Sequence, residues 1–408
     1  MTKAATARKG LAIEGGLPVR TEPFAPWPHF TPDEIAVVTA VLESGRVNYW
    51  TGDQGTRFEQ EYATSLGRKH AVAVANGTVA LELALEALGI GAGDEVIVPC
   101  RTFIATASCV AMRGARPVVV DVDRDSGNVT AATIAPAITP RTRAIIPVHH
   151  AGWPCRMDEI LALASHHGLH VIEDCAQAHG AAFRKRPAGS FGVLAAFSFC
   201  QDKILTTGGE GGMLLTDDGH LWNRAWSYKD HGKSHRHAFR NGSRPTFGWP
   251  HESFGTNWRL TEMQSALGRV LLPKLPERVH IRRRNAAVLA QRLAGIPALR
   301  VPVPPAEEEH AYYKFYCYVR PERLREGWTQ DRILAAVSAE GIPCQAGTCG
   351  EIYLEKAFGP ELRPRERFSV ARELGETSLM FLVHSTLSEA DMHDTAVAVE
   401  KVMVVASA

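Results

Sequence analysis

The sequence predicts an α/β protein: a mostly parallel seven-stranded sheet covered by helices, followed by a smaller C-terminal α+β domain. Three observations carry this expectation. Seven short apolar runs recur between residues 71 and 216, most of them without alternation, as in strands covered on both faces. Helical patterns lie between them, and strand–helix–strand repetition builds a parallel sheet sandwiched by helices. After about residue 260 the pattern changes to long helices and an alternating strand.

Residues 1–30 are spotted with Gly and Pro and carry Trp27, Pro28 and Phe30, which suits an arm laid over another part of the molecule. TPDEIAVVTAVLESG then reads as a helix with Thr31 as N-cap, Pro32 at its first position, acids in the first turn and Gly45 as stop. The strands expected next are AVAVA (71–75), EVIVP (95–99), PVVVD (117–121), AIIPV (144–148), LHVIE (169–173), LAAFSF (194–199) and GMLLT (212–216). Helices are expected over 78–89, 102–114 and 157–168. Beyond 260, LTEMQSALGRVLLPKL and ERVHIRRRNAAVLAQRLAG read as helices, 310–320 as a strand and 328–341 as an amphipathic helix. The expected division is an arm (1–30), a large domain (31–274) and a small domain (275–408).

With 408 residues the chain is long enough for two or three domains. Its 45 basic and 44 acidic residues leave a formal charge of +1, so no global field holds a polyanion, which excludes nucleic-acid binding by bulk electrostatics. No run approaches the ~20 apolar residues that span a bilayer, and MTKAATARKGLAIEGG lacks the apolar core of a signal peptide. The eight cysteines are dispersed rather than set in a disulfide framework. A soluble, cytoplasmic, reduced protein is expected.

Ligands of open α/β sheets bind beyond the carboxyl ends of the strands. After 71–75 comes Asn76-Gly77-Thr78, a turn into a helix N-terminus that suits a phosphate; on this motif alone an ordinary helix cap is the commoner reading. After 169–173 comes Asp174, which caps a helix as readily as it takes part in catalysis. After 194–199 comes CQDKILTTGGEGGMLLT, with Lys203 between two expected strands. Most lysines are solvated, but a desolvated one is a Schiff-base nucleophile. With Phe103, these strand ends offer a phosphate cradle, an aromatic, a carboxylate and an amine. Pyridoxal 5′-phosphate requires that set: an amine for its aldehyde, an anion for its ring nitrogen, a stacking surface and phosphate donors.

The blocks LAIEGGLPVR, SGRVNYWTGDQGTRFEQEYA, ANGTVALELAL, GDEVIVPCRTFIATA, GARPVVVDVD, VIEDCAQAHGA, FSFCQDKILTTGGEGGMLLTDD and FGTNWRLTEMQSALG resemble the DegT/StrS-type sugar aminotransferases, within the fold-type I PLP-dependent enzymes, over nearly the whole chain. The resemblance implies that Lys203 holds pyridoxal 5′-phosphate and shuttles a proton, and that Asp174 keeps its ring nitrogen protonated. It implies that Gln177 hydrogen-bonds the phenolic oxygen, that Phe103 stacks on the ring, and that Gly77, Thr78 and Ser198 hold the phosphate. Asn257 is implied to reach the phosphate of a neighbouring subunit, so each site needs a homodimer. The chain departs from the family pattern at Ala75, where Ser is frequent, and at Cys100-Arg101-Thr102, where SFT or TFT is frequent. Arg101 is expected to change the charge of the pocket. Cys200 and Asp202 flank the lysine with no role assigned.

His231, His235 and His237, with His149 and His150, suggest metal ligation, but no carboxylate or cysteine set completes such a site, and a solvated loop is the expectation. Segment 229–255 is long and basic, and is expected to bind an anionic part of the substrate through Lys229, Lys233, Arg236 or Arg240. Cys344 and Cys349 lack a second pair for zinc; their segment is expected to border the site. The expected activity is transfer of an amino group from glutamate or glutamine to a keto sugar, in ping-pong fashion. The basic segment favours a nucleotide-linked acceptor, and a keto cyclitol of the scyllo-inosose type is the alternative. A PLP-dependent sugar dehydratase is a further reading. Lys203 opposes its variant with histidine in place of lysine, and the dispersed cysteines oppose its iron–sulfur variant. A non-catalytic relative would not need Asp174, Gln177 and Lys203 together.

Overall fold

The computed structural model describes residues 10–238 and 251–408. Seven strands form the large sheet: β1 (His70–Val74), β2 (Glu95–Pro99), β3 (Arg116–Val120), β4 (Thr142–Ile145), β5 (His170–Asp174), β6 (Leu194–Ser198) and β7 (Gly212–Thr216). Their order is β1-β7-β6-β5-β4-β2-β3. β7 runs antiparallel to both of its neighbours, and every other pairing is parallel. The sheet is buried on both faces. In β1, Val72 and Val74 join one apolar cluster while Ala71 and Ala73 join another, which is why these runs are apolar without alternation.

Helices α1 (Pro32–Ser44), α2 (Gln54–Ser65), α3 (Gly77–Leu88), α4 (Ala105–Met112) and α5 (Met157–His167) lie between or before these strands, and α6 (Gly219–Lys229) follows the last of them. In α1 the main-chain N–H of Thr31 donates to Glu34 at 3.0 Å, and Gly45 ends the helix at a φ of 68°. α7 (Glu262–Leu271) and α8 (Leu275–Leu293) then lead to a second, four-stranded antiparallel sheet. Its strands are β8 (Leu299–Arg300), β9 (Phe315–Val319), β10 (Cys344–Gln345) and β11 (Ser378–Phe381), in the order β8-β9-β11-β10. α9 (Gln330–Ala339) and the final helix α10 (Glu389–Ala406) pack on it around Phe315, Cys317, Val319, Val399 and Met403.

The strand expected over 310–320 is shorter than its pattern. Tyr312 has a φ of 49°, outside the extended region, and the main chain of Ala311 and Tyr313 bonds to Gly152 and Ala151 instead of to a sheet partner. The interruption sets residues 310–314 against the large sheet's loops. The described part of the arm is pinned at several places. Leu11 enters the core of the second sheet, where Glu340 accepts the N–H groups of Ala12 and Val19. Further on, Trp27 Nε1 donates to the carbonyl of Lys203 at 3.2 Å. Among the described residues no helix is long and apolar enough to cross a membrane.

Candidate active site

The carboxyl ends of β1, β5 and β6 open into one cavity of 830 Å³ whose walls include Gly77, Thr78, Phe103, Asp174, Gln177, Ser198 and Lys203. Asp174 is the last residue of β5 and is 5% exposed. Its Oδ2 accepts the hydroxyl of Thr106 at 2.9 Å and its Oδ1 accepts the N–H of Ala176 at 3.1 Å. Burial raises the pKa of this carboxyl, against those two hydrogen bonds and the charges of His149 and Lys203. The preceding Glu173 points to the other face of the strand. It accepts three main-chain N–H groups, from Gly189, Phe191 and Gly192, and sits 3.0 Å from His149 Nε2. One acid of the pair is therefore structural and the other faces the cavity.

Gln177 is oriented from behind. Its Oε1 accepts the N–H of Ala151 at 2.6 Å, which leaves its amide NH₂ to donate into the cavity. Ala151 holds a φ of 56° to present that N–H. At the start of α3, Asn76 caps the helix through the N–H of Val79 at 3.0 Å, leaving the N–H groups of Gly77 and Thr78 without intrahelical acceptors. A Cβ on Gly77 would stand 2.6 Å from Cβ of Ser198, so only glycine lets the helix start approach β6 this closely. Ser198 is held by its carbonyl, 2.8 Å from His179 Nε2, and the hydroxyl of Tyr62 is 2.9 Å from Nδ1 of the same ring.

Lys203 lies in the loop between β6 and β7, where Gly209 takes a φ of 131°. Its Nζ is 3.2 Å from Asp202, 3.4 Å from the hydroxyl of Tyr313 and 4.9 Å from the centre of that ring. Asp202 also accepts the hydroxyl of Tyr313, so the residue without an assigned role orders both lysine and phenol. Phe103 is 67% exposed on the cavity rim. Gln345 of β10 and Gly347, Thr348 and Cys349 of the loop after it line the cavity too, as the segment around Cys344 and Cys349 was expected to do.

Asn257, implied to serve a neighbouring subunit, is exposed and lies outside this cavity, in an isolated bridge with Asp230. Several other expectations are corrected. Arg101 does not line the pocket but is fully buried behind it, 5.7 Å from the ring of Tyr316. Lys229 is no loop cation: it ends α6 with no exposure, 3.6 Å from Glu59 and 4.0 Å from the centre of Tyr49, so it cannot reach a substrate. Lys233 pairs with Asp230 at 3.2 Å. His235 packs edge-on against Trp222 and Trp226 rather than standing in solvent. Arg236 is exposed, while Arg240 and the side chain of His237 lie outside the described residues. His149 does have an acid and a thiol beside it, Glu173 and Cys175. Its Nδ1 already accepts the N–H of Cys155 and its Nε2 faces Glu173, so the ring is held inside the fold. Thr106, Ala151, His179, Tyr313 and the arm's Trp27 were not anticipated. Their contacts with the site span 19 to 176 residues of sequence, as in His179–Ser198 and Trp27–Lys203, and no local pattern marks them.

The DegT/DnrJ/EryC1/StrS aminotransferase family matches residues 28–400 of this chain. A UDP-N-acetyl-3-dehydro-α-D-glucosamine 3-aminotransferase of Acidithiobacillus ferrooxidans is 42% identical over 77% of this chain and 80% of its own length. An L-glutamine:2-deoxy-scyllo-inosose aminotransferase of Micromonospora echinospora is 34% identical over 96% of this chain and 97% of its own. Among solved structures, an aminotransferase from Psychrobacter cryohalolentis is 51% identical with a TM-score of 0.91, covering 94% of this chain and 99% of that one.

Proposed function

Because the chain belongs to the DegT/DnrJ/EryC1/StrS aminotransferase family, we propose that it moves an amino group from glutamate or glutamine to the carbonyl carbon of a nucleotide-linked keto sugar, in a cytoplasmic, ping-pong reaction. The observation that carries this reading is the convergence of Lys203 and Asp174 on one cavity with a helix start at its end. The residues present fit pyridoxal 5′-phosphate. Asp174 is a buried carboxylate with no cation within ion-pair distance among the described residues, a place for a protonated ring nitrogen. Bound there, the cofactor supplies an electron sink for the carbon that bears the amine.

Within this reading each side chain has a defined task. Gly77, Thr78 and Ser198 donate to the phosphate, Phe103 covers the ring and Gln177 donates to its phenolic oxygen. Lys203 Nζ carries the proton between substrate carbon and cofactor. Asn257, exposed in the single chain, serves the site of a second copy, so the working unit is a homodimer. The chain works as an arm (1–30), a large domain (31–274) and a small domain (275–408). The relative acting on a UDP-sugar supports the nucleotide-linked acceptor. The inosose aminotransferase, alike over 96% of this chain, supports a keto cyclitol as the second reading.

The test is spectroscopic and chemical. Protein saturated with pyridoxal 5′-phosphate is expected to be yellow, to lose that colour with glutamate or glutamine, and to yield a labelled Lys203 peptide after borohydride reduction. Lys203→Ala is expected to do none of these. A label on another lysine overturns the assignment. Keto-sugar nucleotides and keto-inositols offered to the aminated form decide the acceptor, and light scattering decides the dimer.

A further inference from the structure

Lys314 lines the same cavity as Lys203 and Asp174. It follows directly on the turn at Tyr312, whose positive φ ends the run toward β9 and sets Tyr313 and Lys314 at the cavity. Tyr313 is flanked by two amines: Nζ of Lys203 lies 4.9 Å from its ring centre and Nζ of Lys314 lies 5.0 Å from it. The two nitrogens are thus no more than about 10 Å apart, the sum of those distances.

The two lysines differ in their partners. Lys203 has Asp202 at 3.2 Å, and Asp202 also accepts the hydroxyl of Tyr313. Lys314 has no carboxylate within ion-pair distance among the described residues. Burial and the neighbouring cations Arg282 and Lys203 hold its ammonium down to about 8, with Asp202 the opposing charge. A half-buried cation with no carboxylate in direct contact is an unfavourable element of a resting fold. In a cavity that admits substrates it becomes a binding element for an anion.

We propose that Lys314 binds the α-carboxylate of the amino-acid donor, an inference that rests on reading the cavity as a transaminase site. The donor must bring its amine to the position of Lys203 Nζ. Its α-carboxylate hangs from the same carbon, so it lies within a few ångströms of that nitrogen and inside the span between the two lysines. It is also the one anionic group that glutamate and glutamine share. The diphosphate of a nucleotide-linked acceptor is the competing anion. It is attached away from the carbonyl carbon that must reach Lys203, and the test separates the two.

Lys314→Met and Lys314→Gln are compared with the wild type in the cofactor-loaded protein, with Lys314→Arg as the charge-retaining control. Glutarate, which carries the carboxylates but no amine, serves as a probe by calorimetry. The expected result is at least a tenfold loss of glutarate affinity in the Met and Gln variants. The KM for both glutamate and glutamine should rise at least tenfold with kcat nearly kept, the KM for the acceptor should stay unchanged, and Arg should recover most of the donor affinity. A rise in acceptor KM alone assigns Lys314 to the diphosphate and overturns the proposal, as does no change in either KM. Should the wild type bind glutarate through Lys314 but transaminate nothing, the transaminase reading fails and the anion site stands. Transamination that proceeds with unaltered donor KM in both variants sinks the anion site alone.

Discussion

Thr106 donates its hydroxyl to Asp174 Oδ2 at 2.9 Å, tying the second residue of α4 to the last residue of β5. Thr102 lies 3.0 Å from the same hydroxyl, behind it. The bond stabilises the ionised form of a carboxylate that burial disfavours. Replacing Thr106 by Val removes it while keeping the shape. A hydrogen bond to a charged group contributes about 1.5–3 kcal/mol, so cofactor affinity is expected to fall roughly 10- to 100-fold. Thr106→Ser should stay near the wild type. Titration of the apoprotein with pyridoxal 5′-phosphate, followed by absorbance, checks both.

Gly77 packs hard against Ser198 at the helix start proposed to hold the phosphate. An alanine there places Cβ 2.6 Å from Cβ and 3.1 Å from Cα of Ser198, and the second contact is backbone that cannot rotate away. Either α3 shifts or β6 does. Overpacking of this kind costs about 1–3 kcal/mol, and here it also moves two of the proposed phosphate donors. Gly77→Ala is expected to lower the urea midpoint and to weaken cofactor binding further than the loss of stability explains. Urea unfolding with and without cofactor measures the difference.

The sheet was legible in sequence because strands buried on both faces leave uninterrupted apolar runs. Asp174 and Lys203 were legible because each follows such a run. The placement of β7 between β1 and β6, antiparallel to both, was not, since pairing between distant segments leaves no local mark. Lys229 was misread because it opens a long basic segment that reads as a solvated loop; its burial depends on Glu59 and Tyr49 far upstream. Tyr313 and Lys314 were absorbed into a strand because alternation continues through Tyr312, and only the backbone at that residue shows the break. His179 gave no sign of its role, because Tyr62, 117 residues away, and the carbonyl of Ser198 define it.

Buried histidines, among them His179, His310 and His384, set the acid limit of the fold. Burial lowers the pKa of His179 to about 4 and that of His310 and of His384 to about 3, well below the ordinary value of 6.5. Each is neutral in the folded chain and takes up a proton on unfolding at mildly acid pH. The unfolded state therefore binds more protons below pH 6.5, and stability falls as pH drops from there toward 4. Each group contributes a slope approaching 1.4 kcal/mol per pH unit, about 4 kcal/mol per unit for the three together. Urea unfolding at pH 7, 6 and 5 should show this loss before most carboxylates titrate. A free energy that stays level over that range would show that the rings are charged in the fold.

Arg101 is fully buried, and its Nε and both terminal nitrogens have no hydrogen-bond partner among the described residues. Its neighbour His150 is buried with both ring nitrogens in the same condition, and burial together with the charge of Arg101 lowers its pKa well below the usual histidine range. A guanidinium does not escape burial by losing its proton, so the charge is carried at a cost to the fold. Methionine matches its length without charge or donors and keeps van der Waals contact with the ring of Tyr316. Replacing uncompensated buried charge with well-packed apolar atoms has stabilised other folds by about 1–4 kcal/mol, so Arg101→Met is expected to raise Tm. Arg101→Ala should lower it, because truncation leaves a cavity where the side chain ran. Thermal unfolding of the two variants gives opposite signs if the guanidinium is unpartnered. A fall in Tm for both would mean that it holds a water or an anion that the fold requires.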